Sequence, residues 1–284
     1  MTGSGVQEKL DATRCFNAGV DAGSGRFLAS TRALWQRELV RFSRQRSRVL
    51  GSLATPIVFW ILLGSGFRWL EIDLAVKPLA ESGTISYAAY LFPGVLVMIV
   101  LFSSIYSMIT VIEDRREGFL QSVLVAPVPR GAIVAGKVLG AATVALLQGI
   151  VFLAFWPSVA PVHSMLAMAC AVLVILVLSI GLAGLGLCFA WSTESAAVFH
   201  TVMNLLLLPM WFLCGAMFPV ESAPLWLRTL MYLNPLTYGR ALLAEALYGS
   251  RISVVMAASV TVGFAAGVLV LALWIVSRPR SDGS

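Results

Sequence analysis

The amino-acid sequence predicts an all-α integral membrane protein, and three observations carry that prediction. The 284-residue chain is 59% hydrophobic and only 12% charged, with a mean hydropathy of +0.88. That is more apolar surface than a soluble core of ordinary proportions can hide. Six stretches approach the ~20 apolar residues that cross a hydrocarbon core of about 30 Å. The lysines and arginines gather in the connections between those stretches. A net charge of +6 and a pI near 9.5 would suggest nucleic acid for a soluble chain. Here the basic residues flank apolar runs, where anionic lipid and topology account for them, so no nucleic-acid partner is expected.

The elements follow in order. Residues 1–26 are rich in Gly, Ser, Ala and Asp and read as a disordered tail. The tail lacks an apolar segment followed by a small-residue cleavage site, so no cleaved leader is expected and the N-terminus stays inside. In 27–48, Phe27, Leu28, Leu34, Trp35, Leu39 and Phe42 recur at near-helical spacing with arginines between them, the pattern of a helix lying in the membrane interface. Residues 49–278 hold six predicted spans: Val49–Phe67, Ala88–Ile112, Val138–Val159, Met165–Ala190, Ala196–Phe218 and Ile252–Ser277, the fifth interrupted by Pro209 and closed by Pro219. Residues 279–284 form a short C-terminal tail. Lys9 and eight arginines before the first span, Arg115, Arg116, Arg130 and Lys137 in the second connection, and Arg278 and Arg280 at the end outnumber the basic residues of the opposite loops. Both termini are therefore expected in the cytoplasm, in agreement with an even number of spans.

None of the six predicted spans contains Asp, Glu, Lys or Arg, which argues against an ion-coupled carrier, whose coupling ion needs an ionisable partner in the membrane. Their polar inventory is Gln148, His200 and Asn204 plus hydroxyls. His200 and Asn204, four apart on one helical face, could line a pathway or simply bond neighbouring helices. Gly136 with Gly140, Gly263 with Gly267, and the Gly181, Gly184, Gly186 cluster would let helices approach closely. Gly131 to Val138 nearly matches a phosphate-binding loop, but Val138 stands where a hydroxyl must hold the metal and no soluble α/β domain surrounds it. Lys137 is better read as a positive anchor at the end of a span. Cys15, Cys170, Cys188 and Cys214 lack metal-ligand spacing, and no metal, nucleophile or acid-base motif suggests an enzyme.

Two connections carry the remaining information. From Glu113 to Arg130, acids and arginines open a short amphipathic helix whose apolar stripe is Phe119, Leu120, Val123 and Leu124, ended by Pro127 and Pro129. From Phe212 to Leu243, prolines cut the chain into aromatic-rich helical pieces too short to span, which should lie in or dip into the outer interface. These two segments resemble the ABC-2 family of ATP-binding-cassette exporter permeases. The cytoplasmic signature appears as Glu113, Asp114, Arg115, Arg116, Glu117, Gly118, then Leu124, Ala126-Pro127, Arg130 and Gly136-Lys137. The outer one appears as Gly215, Phe218-Pro219, Pro224 to Leu227 with Trp226, and Asn234-Pro235-Leu236-Thr237-Tyr238. Phe119 departs from the Thr of many members. The resemblance covers about Ala29 to Arg278.

The resemblance implies a type V ABC exporter-like subunit. It would have six transmembrane helices, an N-terminal interfacial helix, a cytoplasmic coupling helix and short outer re-entrant or interfacial helices. It implies ATPase coupling through Glu113 to Leu120, Leu124, Pro127 and Arg130, with a smaller contact through Glu194. ATP and Mg would be bound by a separate ABC ATPase, usually two copies, beside a second permease copy in a cytoplasmic (inner) membrane, and no cofactor by this chain. Drug efflux and export of lipid-linked glycans both fit. The rival reading is a non-transporting scaffold or regulator that recruits a soluble partner through the same loop.

Overall fold

The computed structural model describes residues 25–44, 46–67, 69, 71–73, 84–126, 128–159, 164–249 and 253–278. Most of the expected N-terminal tail, the C-terminal tail 279–284 and Pro127 lie outside the described residues. The first helix, α1, runs over 25–44, and α2 over Arg46–Gly66. Two three-residue strands, β1 (Glu71–Asp73) and β2 (Thr84–Ser86), pair antiparallel with Ile72 opposite Ile85. This ribbon is the one departure from an all-helical chain among the described residues. Strands of three residues are too short for a period-2 pattern to register in the sequence.

Then come α3 (Tyr87–Ser107), α4 (Ile109–Arg116), α5 (Phe119–Val125), α6 (Arg130–Leu153) and α7 (Met165–Ser192). They are followed by α8 (Ala196–Phe212), α9 (Leu225–Leu233), α10 (Pro235–Tyr248) and α11 (Val254–Ser277). Four helical segments are long and apolar enough to cross a membrane: Tyr87–Arg116, Arg130–Ser158, Met165–Ser192 and Val254–Ser277. Leu53–Gly66 of α2 and all of α8 are apolar but shorter. The fifth expected span thus stops at Phe212, six residues before its predicted end at Phe218, because the chain turns at Gly215 with φ of +79°.

α3 is the axis of the molecule. Its residues from Leu91 to Ile99 are buried on every side, enclosed by α2, α6, α7, α8 and α10. Such a helix needs no polar face, and its uniformly apolar sequence reflects that. Glycines set how near the neighbours come. A Cβ on Gly186 would lie 3.0 Å from Ile105 Cα, and one on Gly181 3.1 Å from Ala265 Cα, so the predicted cluster does bring α7 against α3 and α11. Gly263 and Gly267, in contrast, face open space. The second of the two predicted small-residue pairs is no packing seam within this chain.

α9 and α10 form a hairpin at the end of the bundle opposite α5. Gly239 of α10 packs on Leu178, near the midpoint of the 28-residue α7. The hairpin therefore reaches well down into the bundle, and only the outer face of α9 is bare, with Trp226 67% and Leu233 75% exposed.

Candidate coupling end and transport cavity

The charged block divides differently from its predicted form. Its acids and arginines do not open an amphipathic helix; they complete the long helix that begins at Tyr87. The break comes at Gly118, whose φ of +76° an L side chain adopts only at a cost of roughly 1–2 kcal/mol. α5 then supplies the short helix. Leu120 is buried and Phe119 and Val123 half-buried, while Gln121, Ser122 and Val125 are exposed, Val125 to 89%.

Asp114 is fully buried, and the reason is α1. Arg37 clamps its carboxylate with two bonds, Nη1 to Oδ2 at 2.9 Å and Nη2 to Oδ1 at 2.7 Å. Arg41 donates to Asp114 Oδ1 at 2.9 Å and to Glu113 Oε2 at 2.7 Å. Lys137, 3% exposed, donates to Asp114 and, at 2.5 Å, to Glu38 Oε1. Thr110 donates to the other Glu38 oxygen at 3.1 Å. Three cations thus meet three carboxylates, which makes the burial tolerable, since each charge is paired and hydrogen-bonded. Bonding to Asp114 also raises the pKa of Arg37 above its ordinary value. The Arg37 guanidinium lies 3.8 Å over the Phe119 ring, which ties α5 to the same cluster.

This network corrects two expectations. Lys137 is a buried ion-pair partner instead of an anchor at a span end, and ionisable groups do enter the apolar segments, at Lys137 in Arg130–Ser158 and at Asp114 in Tyr87–Arg116. It also shows what sequence reasoning missed. The arginines of α1, Arg37 and Arg41 among them, read as the polar side of an interfacial helix and Glu38 plays no part in that reading, yet the face carrying Thr31, Leu34 and Glu38 is buried against α6. The signal available was a single acid, Glu38, among arginines one helical turn from Leu34.

The other predicted coupling residues fall into two groups. Arg115 donates to the carbonyls of Trp191 and Thr193, both at 2.9 Å, and so fixes the α7–α8 turn that carries the exposed Glu194. Arg130 donates to Ser277 O at 2.5 Å and caps the C-terminus of α11. Arg116 and Glu117 remain at the surface.

Beside the network opens a cavity of about 720 Å³, walled by α1, α2, α3, α4, α6 and α8. Its lining is mostly apolar and aromatic, with Phe42, Phe59, Phe102 and Trp211 among its walls, and Glu113, Gln148 and His200 among its few polar groups. The structure brings Gln148 and His200 to this one space. Asn204 instead accepts a hydrogen bond from the Tyr106 hydroxyl, with the His200 ring 5.1 Å from that of Tyr106.

At the far end the outer signature acts as joinery. Tyr90 donates to Gly215 O at 2.7 Å, and Trp211 to Gly94 O at 2.7 Å. Asn234 Oδ1 accepts from Leu236 N at 3.1 Å, capping α10 in front of Pro235, while its Nδ2 donates to Met210 O at 2.6 Å. Tyr238 donates to Tyr232 O at 3.0 Å, and Pro219 leads into a short 3-10 turn over Val220–Ser222.

The profile of the ABC-2 type transporter family matches residues 29–248. The chain is 27% identical over 224 residues to Nodulation protein J of Rhizobium leguminosarum bv. viciae, covering 78% of this chain and 83% of that one. It is 24% identical to the putative transport permease ycf38 of Cyanophora paradoxa, over 75% and 72% of the two chains. It is 29% identical to the probable multidrug ABC transporter permease YbhR of Escherichia coli strain K12, over 54% of this chain and 42% of YbhR. The apolar helices and this match agree, and the chain belongs to the ABC-2 type transporter family, as a multi-pass membrane subunit of an ABC transporter of the kind that works with an ABC ATPase partner.

Proposed function

We propose that this chain is the permease of an ATP-driven exporter that moves an amphiphilic or lipid-linked substrate outward. In this reading α2 and α8 join the four long segments to make six spans, both termini and the α5 end face the cytoplasm, and the α9–α10 hairpin enters from outside. The observation that carries it is the cavity of about 720 Å³ beside α8. It falls within the ~300–1,000 Å³ of sites that enclose a drug-sized ligand, and its aromatic walls with few polar groups suit a molecule with a large apolar part. The multidrug designation of YbhR supports the same cargo. The basic flanks of the spans support the cytoplasmic orientation.

ATP is bound by two partner ATPases that dock on the exposed face of Arg116, Glu117 and α5, with Glu194 beside it. A second permease copy completes the assembly in an inner membrane. The test is reconstitution with the ABC ATPase in proteoliposomes, following ATP-dependent movement of a fluorescent amphiphile. Met98→Trp, which narrows the cavity from its wall, should impair movement while leaving the complex assembled, and movement unaffected by that substitution refutes the reading. The same assay with Glu117→Arg and Val125→Asp should lose stimulation of ATP hydrolysis; unchanged stimulation would leave only a scaffold.

A further inference from the structure

The stretch from Gly136 to Gly140 belongs neither to a nucleotide site nor to an ordinary contact between spans. A Cβ on Gly136 would lie 2.6 Å from Leu34 Cβ, and one on Gly140 2.7 Å from Glu38 Cβ. The two glycines, one helical turn apart, form a notch in α6 that receives consecutive turns of α1. Between them stands Lys137, bonded to Glu38 at 2.5 Å and also to Asp114. One turn further along, Trp35 Nε1 donates to Thr143 Oγ1 at 3.1 Å. α1 is therefore seated on α6 by shape, by a buried ion pair and by a hydrogen bond.

We infer that Lys137, with the Gly136 and Gly140 notch, makes α6 the seat of α1, so that α1, α4 and the first half of α6 move as one rigid joint when an ATPase pushes on the α5 end. This rests on the exporter reading and adds where the stroke goes. Sliding α1 by one turn would take Glu38 from Lys137, strip Arg37 and Arg41 from the buried Asp114 and drive side chains into the notch, so the joint transmits displacement instead of absorbing it. The stroke then reaches α6 directly and changes the cavity against the later turns of α8, because Arg115 of α4 ties only the turn before α8 through Trp191 and Thr193. Lys137 is a positioning residue in this scheme.

The experiment uses the permease–ATPase complex in proteoliposomes, with native cysteines replaced and spin labels on Q36C, L139C and L205C, all exposed sites. Distances are read nucleotide-free and after vanadate trapping. The α1–α6 distance, between positions 36 and 139, should be the same in both states, while the α1–α8 distance, between 36 and 205, shifts. The double variant Glu38→Leu with Lys137→Met removes the pair but leaves Asp114 to Arg37 and Arg41. In it the α1–α6 distance should broaden on trapping, and the ATP consumed per molecule of fluorescent amphiphile moved should rise about fivefold or more, the lower end for coupling between sites. A parent α1–α6 distance that shifts on trapping overturns the joint, and this holds even if the double variant fails to assemble. A double variant with the parental ATP ratio overturns it too. A parent in which neither distance responds to ATP refutes the exporter reading and the joint with it.

Discussion

Asp114→Asn is the sharpest probe of the charged end. The substitution keeps the shape of a fully buried side chain but removes the charge that Arg37, Arg41 and Lys137 share, leaving three cations against Glu38 and Glu113. Breaking a buried pair from one side costs ~3–5 kcal/mol because the other charges stay behind uncompensated. Arg37 and Arg41 retain 31% and 20% of their side-chain surface in contact with solvent, which places the variant at the low end, about 3 kcal/mol. The loss falls on the attachment of α1, since two of the three cations come from it. At ~1.4 kcal/mol per tenfold, amide hydrogen exchange across 25–44 should quicken about a hundredfold in detergent or nanodiscs. Glu117→Gln is the control. Glu117 is 62% exposed and 3.9 Å from Arg41, and its removal should change stability by less than ~0.5 kcal/mol. Unchanged exchange of α1 in Asp114→Asn would refute the claim that the network holds α1 in place.

Three further outcomes test the packing. Asn234→Ala loses both the cap on α10 and the bond to Met210 O, and should lower stability by about 1–2 kcal/mol in thermal unfolding, with Asn234→Asp intermediate because it retains the cap acceptor alone. Gly94→Ala sets a Cβ 2.6 Å from Ala216 Cβ and 2.8 Å from its Cα; backbone must shift, at ~1–3 kcal/mol. Gly263→Ala, in open space, should be neutral or stabilising by up to ~1 kcal/mol on the same assay.

The membrane character, the long apolar helices, the proline-cut hairpin and the family were legible in the sequence, because each depends on local composition. A run such as Leu91 to Leu101 is apolar whatever surrounds it, and Asn234-Pro235 marks a helix start by its own chemistry. The end of the fifth span was less legible. Apolar residues continue to Phe218, and only the positive φ at Gly215 stops the helix.

The candidate site was legible as a location and not as an arrangement. The block from Glu113 to Arg130 stood out by charge, but nothing local distinguishes the buried Asp114 from the exposed Glu117. The difference is made by Arg37 and Arg41, more than seventy positions away in sequence, and by Lys137 on a third helix. Local pattern settled that the chain carries long apolar helices, where some of them start, as at Met165 and Ala196, and which segments carry the family's signatures, since hydropathy and capping act over a few neighbouring residues. Which charges face each other, which glycines receive a neighbour, and that α1 rests on α6 emerge in the fold alone, because burial and ion pairing depend on distances between helices that no local pattern encodes.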